Sequence, residues 1–366
     1  MLARAMLRIS SSPVGVSAPV GRGVFRGPTS SSPSVGTRSN DAPKQKLTSF
    51  STQVFGARRR CLHTSLYAMI SADTAPTEVT PQPKHVSLVQ GASRGIGFEM
   101  VRQLLEMPDA GLPGRPNAAN GHVVATCRDP AGSLALTELL KKHPTRLSVV
   151  KLDVEKTETI AAAAEFVKKK LGRVDVLCQT AAVLHVKSGS FSMAPETSIA
   201  RLDEHAMMKA YRVNAMGPTL VAKHFADLLT NGTKLSLAGS EEGSGDGETK
   251  NTGKHAIVAN LSARVSSLGD NKLGGWHSYR ASKSALNQLT VNCAIEFARK
   301  KFPVTFILLH PGTVDTALSE PFKKNVPPEN LFSAERAASQ LLKIIGEKTQ
   351  EHTGTFVDWA DTEVRW

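Results

Sequence analysis

Six short, nearly continuous apolar segments, separated by longer helical patterns, dominate the chain from residue 85 onward. They are HVSLVQ (85–90), HVVATC (122–127), LSVVKLDV (147–154), VDVLCQTA (174–181), AIVANLS (256–262) and VTFILLHP (304–311). Apolar runs of this length are typical of strands that are buried on both faces of a parallel sheet. The intervening segments carry apolar residues every three or four positions, as amphipathic helices do. This alternation predicts a single doubly wound α/β domain, with a mostly parallel sheet flanked by helices.

The pattern begins after a leader that lacks it, so we divide the chain into residues 1–83 and a folded domain over residues 84–366. Two Gly- and Asn-rich stretches interrupt the domain, at 111–121 and 230–255. We expect both at the surface. The second is longer than most ordered loops, which favours a flexible insertion there.

The net charge of +13 suggests at first a partner such as DNA or RNA, but the excess is concentrated in the leader. Residues 1–72 contain ten Arg or Lys and one acid, Asp41, and so carry +9 of that charge. The remaining +4 is ordinary for a globular domain. We therefore expect no nucleic-acid partner.

The leader has the composition of an organelle transit peptide. It is rich in Arg and Ser and poor in acids, and its first ten residues, MLARAMLRIS, set apolar side chains against Arg4 and Arg8. We expect import into an organelle matrix, the mitochondrion ahead of the plastid. The alternative is a disordered basic tail on a cytoplasmic protein. Nowhere does the chain contain the 18 consecutive apolar residues typical of a membrane span, so we expect no membrane anchor.

No metal centre is expected from the cysteines. The four of them, Cys61, Cys127, Cys178 and Cys293, are each more than fifty residues apart, and no metal-ligand spacing occurs.

Three glycines follow the first predicted strand, where the chain turns into a helix: Gly91, Gly95 and Gly97. Glycines at such a turn let the backbone approach a pyrophosphate, which then lies at the helix N-terminus. The alternative is a turn that uses glycine for conformational reasons alone. The strand–turn–helix context favours the nucleotide loop.

Several further motifs accompany this turn: a Tyr-x-x-x-Lys at Tyr279 and Lys283, Asn214 within a predicted helix, and Pro311-Gly312 after the sixth strand. Together they resemble the short-chain dehydrogenase/reductase family over residues 85 to about 360. The strings GDNKLGGWHSYRASKSALNQL and LHPGTVDTALSEPF resemble the C-factor group, close to the sniffer-type carbonyl reductases. The resemblance implies a Rossmann-type domain that assembles as a homodimer or homotetramer.

The charges near the glycine turn favour NADPH over NADH as the cofactor. Sites for NAD place a carboxylate at the end of the second strand, whereas a 2′-phosphate requires a cation. This chain has Cys127 and then Arg128 there, and Arg94 lies within the turn. The alternative is that both arginines are merely solvated. The resemblance implies additional cofactor contacts at Ser93, Ile96, Asp153, Val154, Ala181, Pro311, Gly312, Thr313 and Val314, with Asp153 contacting the adenine.

Tyr279 and Lys283 are four residues apart on a predicted helix, so their side chains share one face. A nearby ammonium group stabilises a phenolate, and we therefore expect Lys283 to lower the pKa of Tyr279. The phenol then acts as the general acid while hydride reaches the carbonyl carbon from the nicotinamide. The resemblance implies that Lys283 also binds the nicotinamide ribose and that Asn214 holds a water in a proton relay.

The catalytic serine of the resembling family poses a problem, because NLSARVSSL places Ala263 where that serine is normally found. Ser262 is the best substitute if the backbone has already left the sheet at that point. Ser266 and Ser267 come next. The remaining alternative is that no serine takes part and backbone N–H groups alone support Tyr279.

The function predicted from these residues is reduction of a small-molecule carbonyl compound, namely an aldehyde, ketone or quinone-like substrate, with NADPH. The alternative is a signalling or scaffold protein of the C-factor type that binds NADP and is catalytically weakened. Ala263 favours this alternative, whereas Tyr279, Lys283 and Asn214 favour the enzyme.

Overall fold

A parallel sheet of seven strands forms the centre of the protein. The structure, a computed structural model, describes residues 82–107, 111–188, 191–238 and 255–366. The strands of the sheet are β1 (Val86–Gln90), β2 (His122–Cys127), β3 (Leu147–Lys151), β4 (Val176–Gln179), β7 (Ala256–Leu261), β8 (Val304–His310) and β11 (Phe356–Asp358). Two small pairs lie outside it: β5 (Val186–Ser188) with β6 (Phe191–Met193), and β9 (Thr313–Val314) with β10 (Leu331–Phe332).

Seven α-helices connect the strands within the described residues. They are α1 (Gly95–Leu105), α2 (Leu134–Lys142), α3 (Thr157–Lys170), α4 (Glu204–Tyr211), α5 (Gly217–Ala238), α6 (His277–Arg299) and α7 (Ala334–Glu347). The strand order is β11–β8–β7–β4–β1–β2–β3. The chain thus runs outward from β1 to β3 and then crosses to β4 on the other side of β1. Ligands of such sheets bind where the order reverses, outside the carboxyl ends of the strands.

The apolar core consists of one layer on each face of the sheet. On one face Met100 of α1, Leu136 of α2 and Leu341 of α7 are buried in one cluster. On the other face Ile160 of α3, Phe225 of α5 and Phe297 of α6 are buried in a second. Both faces are therefore covered, which is why the central strands carry apolar residues at nearly every position.

The predicted fold class is confirmed. All six predicted strands are present, and β2 has the predicted bounds, although the strands predicted over 147–154 and 174–181 end earlier. The elements that were not predicted are α7, the edge strand β11 and the short strands β5, β6, β9 and β10. A further difference concerns the helical pattern over 207–229, one of the segments between the predicted strands, which is divided into α4, a π-helical turn over Arg212–Met216 and α5.

The flexible insertion predicted over 230–255 is wrong at its two ends. Helix α5 continues to Ala238, and Thr230 and Thr233 are buried in it. The Thr233 hydroxyl donates to the Pro303 carbonyl at 3.0 Å and accepts the Ala256 N–H at 3.1 Å, which ties the helix to the start of β7. The part of this prediction that concerns residues 239–254 lies outside the described residues.

The stretch at 111–121 is not the surface loop that its composition suggests. Leu112, Ala118 and Ala119 are buried, and so is Arg115, which donates to the His255 carbonyl at 2.9 Å. Pro113 packs directly against Gly346 of α7. The segment therefore closes the amino-terminal edge of the sheet instead of projecting from it.

The predictions made for the leader stay predictions, because the first 81 residues lie outside the part of the chain that the structure describes. Among the described helices, none has both the length and the apolar character needed to cross a membrane.

Candidate active site

The carboxyl ends of β1, β4 and β7 lie side by side in the sheet and carry the predicted site residues. Gln90 is in register with Gln179, and Gln179 is in register with Asn260. The glycine turn follows β1 directly, and the segment that leads to α6 follows β7. The topology thus brings the two motifs, nearly 190 residues apart, to the same edge of the sheet.

The glycine turn is packed too closely for larger residues. Gly91 has a φ of +89°, and a Cβ there would lie 2.7 Å from the Ala181 nitrogen. A Cβ on Gly97 would lie 2.5 Å from both the Gly91 carbonyl oxygen and Thr180 Oγ1. Gly95, with a φ of +57°, faces Thr316. The turn can therefore present bare backbone at the N-terminus of α1, as a phosphate-binding loop does.

The segment after β8 lies against the glycine turn. Gly312 has a φ of +77°, and a Cβ there would lie 2.7 Å from the Phe332 ring. The following Thr313 and Val314 form β9, which pairs with β10. Pro311, Gly312, Thr313 and Val314 are consequently fixed as one short bend next to the site, in the region where we predicted cofactor contacts.

The cations that we assigned to a 2′-phosphate are exposed. Arg128 follows β2 directly, and Arg94 precedes α1 with an extended backbone. Within the described residues, neither arginine forms an ion pair. Ser93 is exposed beside Arg94, whereas Ile96 is half-buried and packs against the core. Two unpaired guanidinium groups at the ends of β1 and β2 are free to bind an anion.

Asp153 and Val154 lie in the turn between β3 and α3. The Asp153 carboxylate accepts the Glu155 N–H at 3.1 Å and so stabilises this turn. Val154 is buried against Gly217, where a Cβ would lie 2.6 Å from the Val154 Cβ. Asp153 also lines a cavity of about 410 Å³ beside α4. The adenine contact predicted for Asp153 stays a prediction, because its visible role is in the turn.

Ala181 meets the glycine turn through its backbone. Its N–H donates to Gln90 Oε1 at 3.3 Å, and the Thr180 hydroxyl donates to the Gln90 carbonyl at 2.8 Å. Gln179 points to the other side, and its amide donates to Asn260 Oδ1 at 2.9 Å. Thr180 thus closes the turn together with Gln90.

Tyr279 and Lys283 are brought together on the buried face of α6. Tyr279 is 7% exposed and Lys283 is 2% exposed. The Lys283 ammonium lies 6.0 Å from the centroid of the Tyr279 ring, and it donates to the Leu261 carbonyl at 2.7 Å. This bond anchors α6 to the last residue of β7.

The pKa values of this pair differ from our prediction. Burial raises the pKa of the Tyr279 phenol well above its ordinary value, and burial lowers the pKa of Lys283 to about 7. The expected lowering of the phenol pKa by Lys283 is absent, since removal from water disfavours both charged forms and dominates here. Tyr279 therefore keeps its proton at neutral pH.

Asn214 lies fully buried in the π-helical turn between α4 and α5. Its side chain accepts the Val183 N–H and donates to the Val183 carbonyl, both at 2.8 Å. It also donates to the Ser282 hydroxyl at 3.0 Å, and Ser282 in turn donates to the Tyr279 carbonyl at 2.8 Å. Asn214 is thus joined to α6, and π-helical turns are frequent at functional sites.

Ser262 is not brought to Tyr279. Its N–H bonds to the Leu309 carbonyl at 2.8 Å, which continues the pairing with β8 one residue past the end of β7. Its hydroxyl donates to Asn287 Oδ1 at 2.6 Å. We expected Ser262 to replace the hydroxyl missing at Ala263 only if the backbone had already left the sheet. Because the pairing continues at Ser262 and its hydroxyl bonds to Asn287, this condition is not met.

The two other serines also have different partners. Ser266 accepts the Asn287 amide at 2.8 Å, and Ser267 accepts the Asp270 N–H at 3.0 Å. The geometry favours the alternative in which no serine hydroxyl supports the phenol.

Two aromatic residues near Tyr279 were missed as site residues. Trp276 lies three residues before it, with the ring centroids 6.3 Å apart. Phe322, in the segment after β9, lies 5.2 Å from the Trp276 ring. Neither had a signal in the sequence, because their proximity results from tertiary packing. Among the described residues, no group of His, Cys, Asp or Glu is arranged to hold a metal ion.

Comparison with known proteins places the chain in a family. The family model described as short chain dehydrogenase matches residues 85–237 and 254–327. The C-signal protein of Myxococcus xanthus is 30% identical over 195 residues, which cover 53% of this chain and 94% of that protein. A 1-hydroxy-2-glutathionyl-2-methyl-3-butene dehydrogenase of Rhodococcus sp. (strain AD45) is 26% identical over 280 residues, covering 76% of this chain and 98% of that one.

Solved structures show the same fold. The NADPH-bound carbonyl reductase from chicken fatty liver is 26% identical, with a TM-score of 0.61 over 78% of this chain and 100% of its own. The carbonyl reductase Sniffer of D. melanogaster is 21% identical, with a TM-score of 0.61 over 77% of this chain and 99% of its own. The chain belongs to the short-chain dehydrogenase family, and the resemblance drawn from its motifs is confirmed.

The lowered pKa of Lys283 predicts how stability depends on pH. The unfolded chain holds this proton up to about pH 10.5, whereas the folded protein loses it near pH 7. Between these values the unfolded state binds more protons, so the free energy of unfolding rises with pH, by up to about 1.4 kcal/mol per unit for this group. Lys283→Met is expected to flatten that rise. Urea unfolding between pH 6 and 10 measures it, with the exposed Lys272→Met as control; identical curves for the wild type and Lys283→Met would contradict the prediction.

Proposed function

We propose that the protein reduces the carbonyl group of a small molecule with NADPH as the hydride donor. The observation that carries this proposal is the position of Tyr279, buried beside Lys283 and joined through Ser282 to Asn214, at the sheet edge that also carries the glycine turn. Membership of an oxidoreductase family supports the same conclusion.

The residues at the glycine turn fit a dinucleotide phosphate. Gly91 and Gly97 leave space only for backbone, since a Cβ at either position would lie within 3 Å of neighbouring atoms. The N-terminus of α1 is therefore open to a pyrophosphate. Arg94 and Arg128 supply cations, and neither forms an ion pair within the described residues, which supports a 2′-phosphate and hence NADPH. The chicken carbonyl reductase, described as NADPH-bound, has the same fold.

The chemistry that we assign to the chain's own residues is proton delivery. The bound cofactor supplies the hydride. Tyr279 donates its proton to the carbonyl oxygen as charge develops there, and its raised pKa keeps that proton in place at neutral pH. Oxidation of an alcohol would require the phenolate instead, so the protonated form of Tyr279 is the one suited to act on a carbonyl substrate.

Support for the oxyanion differs from that of a serine-containing site. Ala263 offers only a methyl group, and Ser262 is bonded to Asn287. We assign this role to backbone N–H groups together with Tyr279. Loss of one oxyanion donor typically lowers the rate by about 100-fold or more, so we expect a slow enzyme.

A second candidate function is signalling or scaffolding by a domain that binds NADP without efficient turnover. The bond from Ser262 to Asn287 favours it, because it leaves the site without a catalytic serine. Similarity to the protein named C-signal points the same way. Turnover of a panel of carbonyl compounds by the purified domain distinguishes the two functions.

Replacement of the phenol tests the proposed acid. Tyr279→Phe is expected to lower kcat/KM for carbonyl reduction by about 100- to 10,000-fold, the usual contribution of a general acid. The dissociation constant of NADPH should change less than about threefold. Loss of NADPH absorbance at 340 nm measures the rate, and the half-exposed Tyr211→Phe on α4 is the matched control. Equal activity in the wild type and Tyr279→Phe would remove Tyr279 from the mechanism and favour the scaffold.

Cofactor choice is tested at Arg128. A charge-assisted bond to phosphate is strong, so Arg128→Ala is expected to weaken NADPH binding by about 10- to 100-fold and NADH binding by less than threefold. Titration of cofactor fluorescence gives both constants. The exposed Arg201→Ala, outside the site, is the control. Equal losses for the two cofactors would rule out a 2′-phosphate contact.

We also propose a homo-oligomer. Exposed apolar side chains lie on the neighbouring helices α4 and α6, namely Met208 at 59% and Ile295 at 45% exposure. Such exposed apolar groups on packed helices are suited to a two-fold interface. We expect sedimentation to give a dimer or tetramer that the double variant Met208→Glu, Ile295→Glu shifts toward monomer; a monomeric wild type at micromolar concentration would refute the proposal.

A further inference from the structure

The start of helix α6 places an aromatic ring next to the catalytic tyrosine. The Trp276 and Tyr279 rings meet edge to face, with an interplanar angle of 77° and centroids 6.3 Å apart. Trp276 also contacts Phe322, with the centroids 5.2 Å apart and an interplanar angle of 52°. Trp276 and Phe322 form what we call the aromatic wall.

Trp276 is held in this position against its own conformational preference. Its backbone is left-handed, with φ 51° and ψ 42°, a region that large side chains rarely adopt. Its N–H donates to the Glu196 carbonyl at 2.5 Å. The Glu196 carboxylate, 2% exposed, accepts the Ser278 N–H at 3.3 Å and also the Ser278 hydroxyl. Glu196 thus caps the first turn of α6 and fixes the residue that precedes it.

Phe322 is held by the turn that follows β9. Lys323 pairs with Asp315 at 2.9 Å and with Glu320 at 2.7 Å. The Ser319 hydroxyl donates to the Val314 carbonyl at 2.6 Å. This turn also contains Thr316, which lies against Gly95 of the glycine turn. One segment therefore connects the cofactor side of the site to the wall.

The aromatic wall is only partly covered. Trp276 and Phe322 are both half-buried, whereas Tyr279 beneath them is buried. Backbone strain at functional sites persists only where the surrounding structure holds it, as Glu196 and Ser278 do here. A half-buried aromatic surface beside a proton donor is suited to contact the apolar part of a ligand.

We propose that the aromatic wall determines specificity, and that it selects carbonyl compounds whose carbonyl carbon is attached to a flat aromatic ring. This inference rests on the reductase function proposed above. A flat aromatic ring can stack on indole and phenyl groups or meet them edge to face, whereas a saturated ring of the same size is puckered and has no π-system to contribute to such contacts. Each aromatic contact contributes about two- to tenfold in affinity. Glu196 is a positioning residue, since it acts through Trp276.

Two aldehydes matched in size test the wall. Benzaldehyde and cyclohexanecarbaldehyde carry the same reacting group on a flat and on a puckered six-membered ring. The measured quantity is the ratio of their kcat/KM values, because a ratio cancels changes that affect both substrates alike. Trp276→Ala and Phe322→Ala are each expected to lower the ratio of benzaldehyde to cyclohexanecarbaldehyde by about five- to tenfold. Trp276→Phe should keep it within about threefold.

Controls separate specificity from folding. Trp276→Gly removes the ring at a left-handed position without adding strain, so it should lower the ratio as Trp276→Ala does. Trp366→Phe, a tryptophan outside the site, should leave the ratio unchanged. Glu196→Ala should lower the ratio, and Glu196→Gln, whose amide oxygen can still accept a hydrogen bond, should restore it. Melting temperatures identify any variant that fails to fold.

A binding measurement keeps the test independent of turnover. Benzamide and cyclohexanecarboxamide have the same two rings but are not reduced, and calorimetry with the full chain and NADP+ gives their dissociation constants. Tighter binding of benzamide than of cyclohexanecarboxamide, abolished by Trp276→Ala and by Phe322→Ala, supports the aromatic wall. This holds even if neither aldehyde is reduced, because the absence of turnover would refute only the reductase function. Turnover with a ratio that neither variant changes would overturn the wall and leave the reductase intact.

Discussion

The buried polar contact between β7 and α6 is the constraint on which the site depends. Lys283 donates to the Leu261 carbonyl, Ser262 to Asn287, and Asn260 to Thr290. A buried donor that loses its partner is costly, so the helix cannot slide along the strand without breaking several of these bonds together. The contact therefore fixes the height of Tyr279 above the sheet. The Ser262 hydroxyl belongs to this contact, since it donates to Asn287.

Most of the fold could be predicted because the central strands are buried on both faces and so are apolar throughout. The parts that were missed have local or tertiary causes. Strand β11 has three residues, too few for a periodic signal. Helix α7 carries a signal that we did not use, with Ser333 as its N-cap and apolar residues such as Leu341 and Ile345 on one face. The burial of Arg115 could not be predicted, since its partner His255 is distant in sequence and its composition favours an exposed loop.

The parts of the candidate site that could be predicted are those in which the spacing of residues along the chain is enough to bring them together. Gly91 and Gly97 could be recognised as the turn, and Tyr279 and Lys283 as neighbours on one helical face. Their ionisation could not be recognised, because spacing gives proximity and not burial, and burial decides the direction of both pKa shifts. The prediction for Ser262 failed for a related reason. Whether the backbone leaves the sheet at this residue depends on its pairing with Leu309, which is distant in sequence. Trp276 and Phe322 meet only after the chain has folded.

The attachment of α5 to the start of β7 lies apart from the candidate active site. Thr233 joins the helix to Ala256 and Pro303, and Arg115 joins His255 to the segment beneath the sheet. Both anchors lie at the amino-terminal edge, whereas Tyr279 and the glycine turn lie at the opposite edge. The contacts that hold α5 to the start of β7 are thereby separate from the contacts that position Tyr279 on α6.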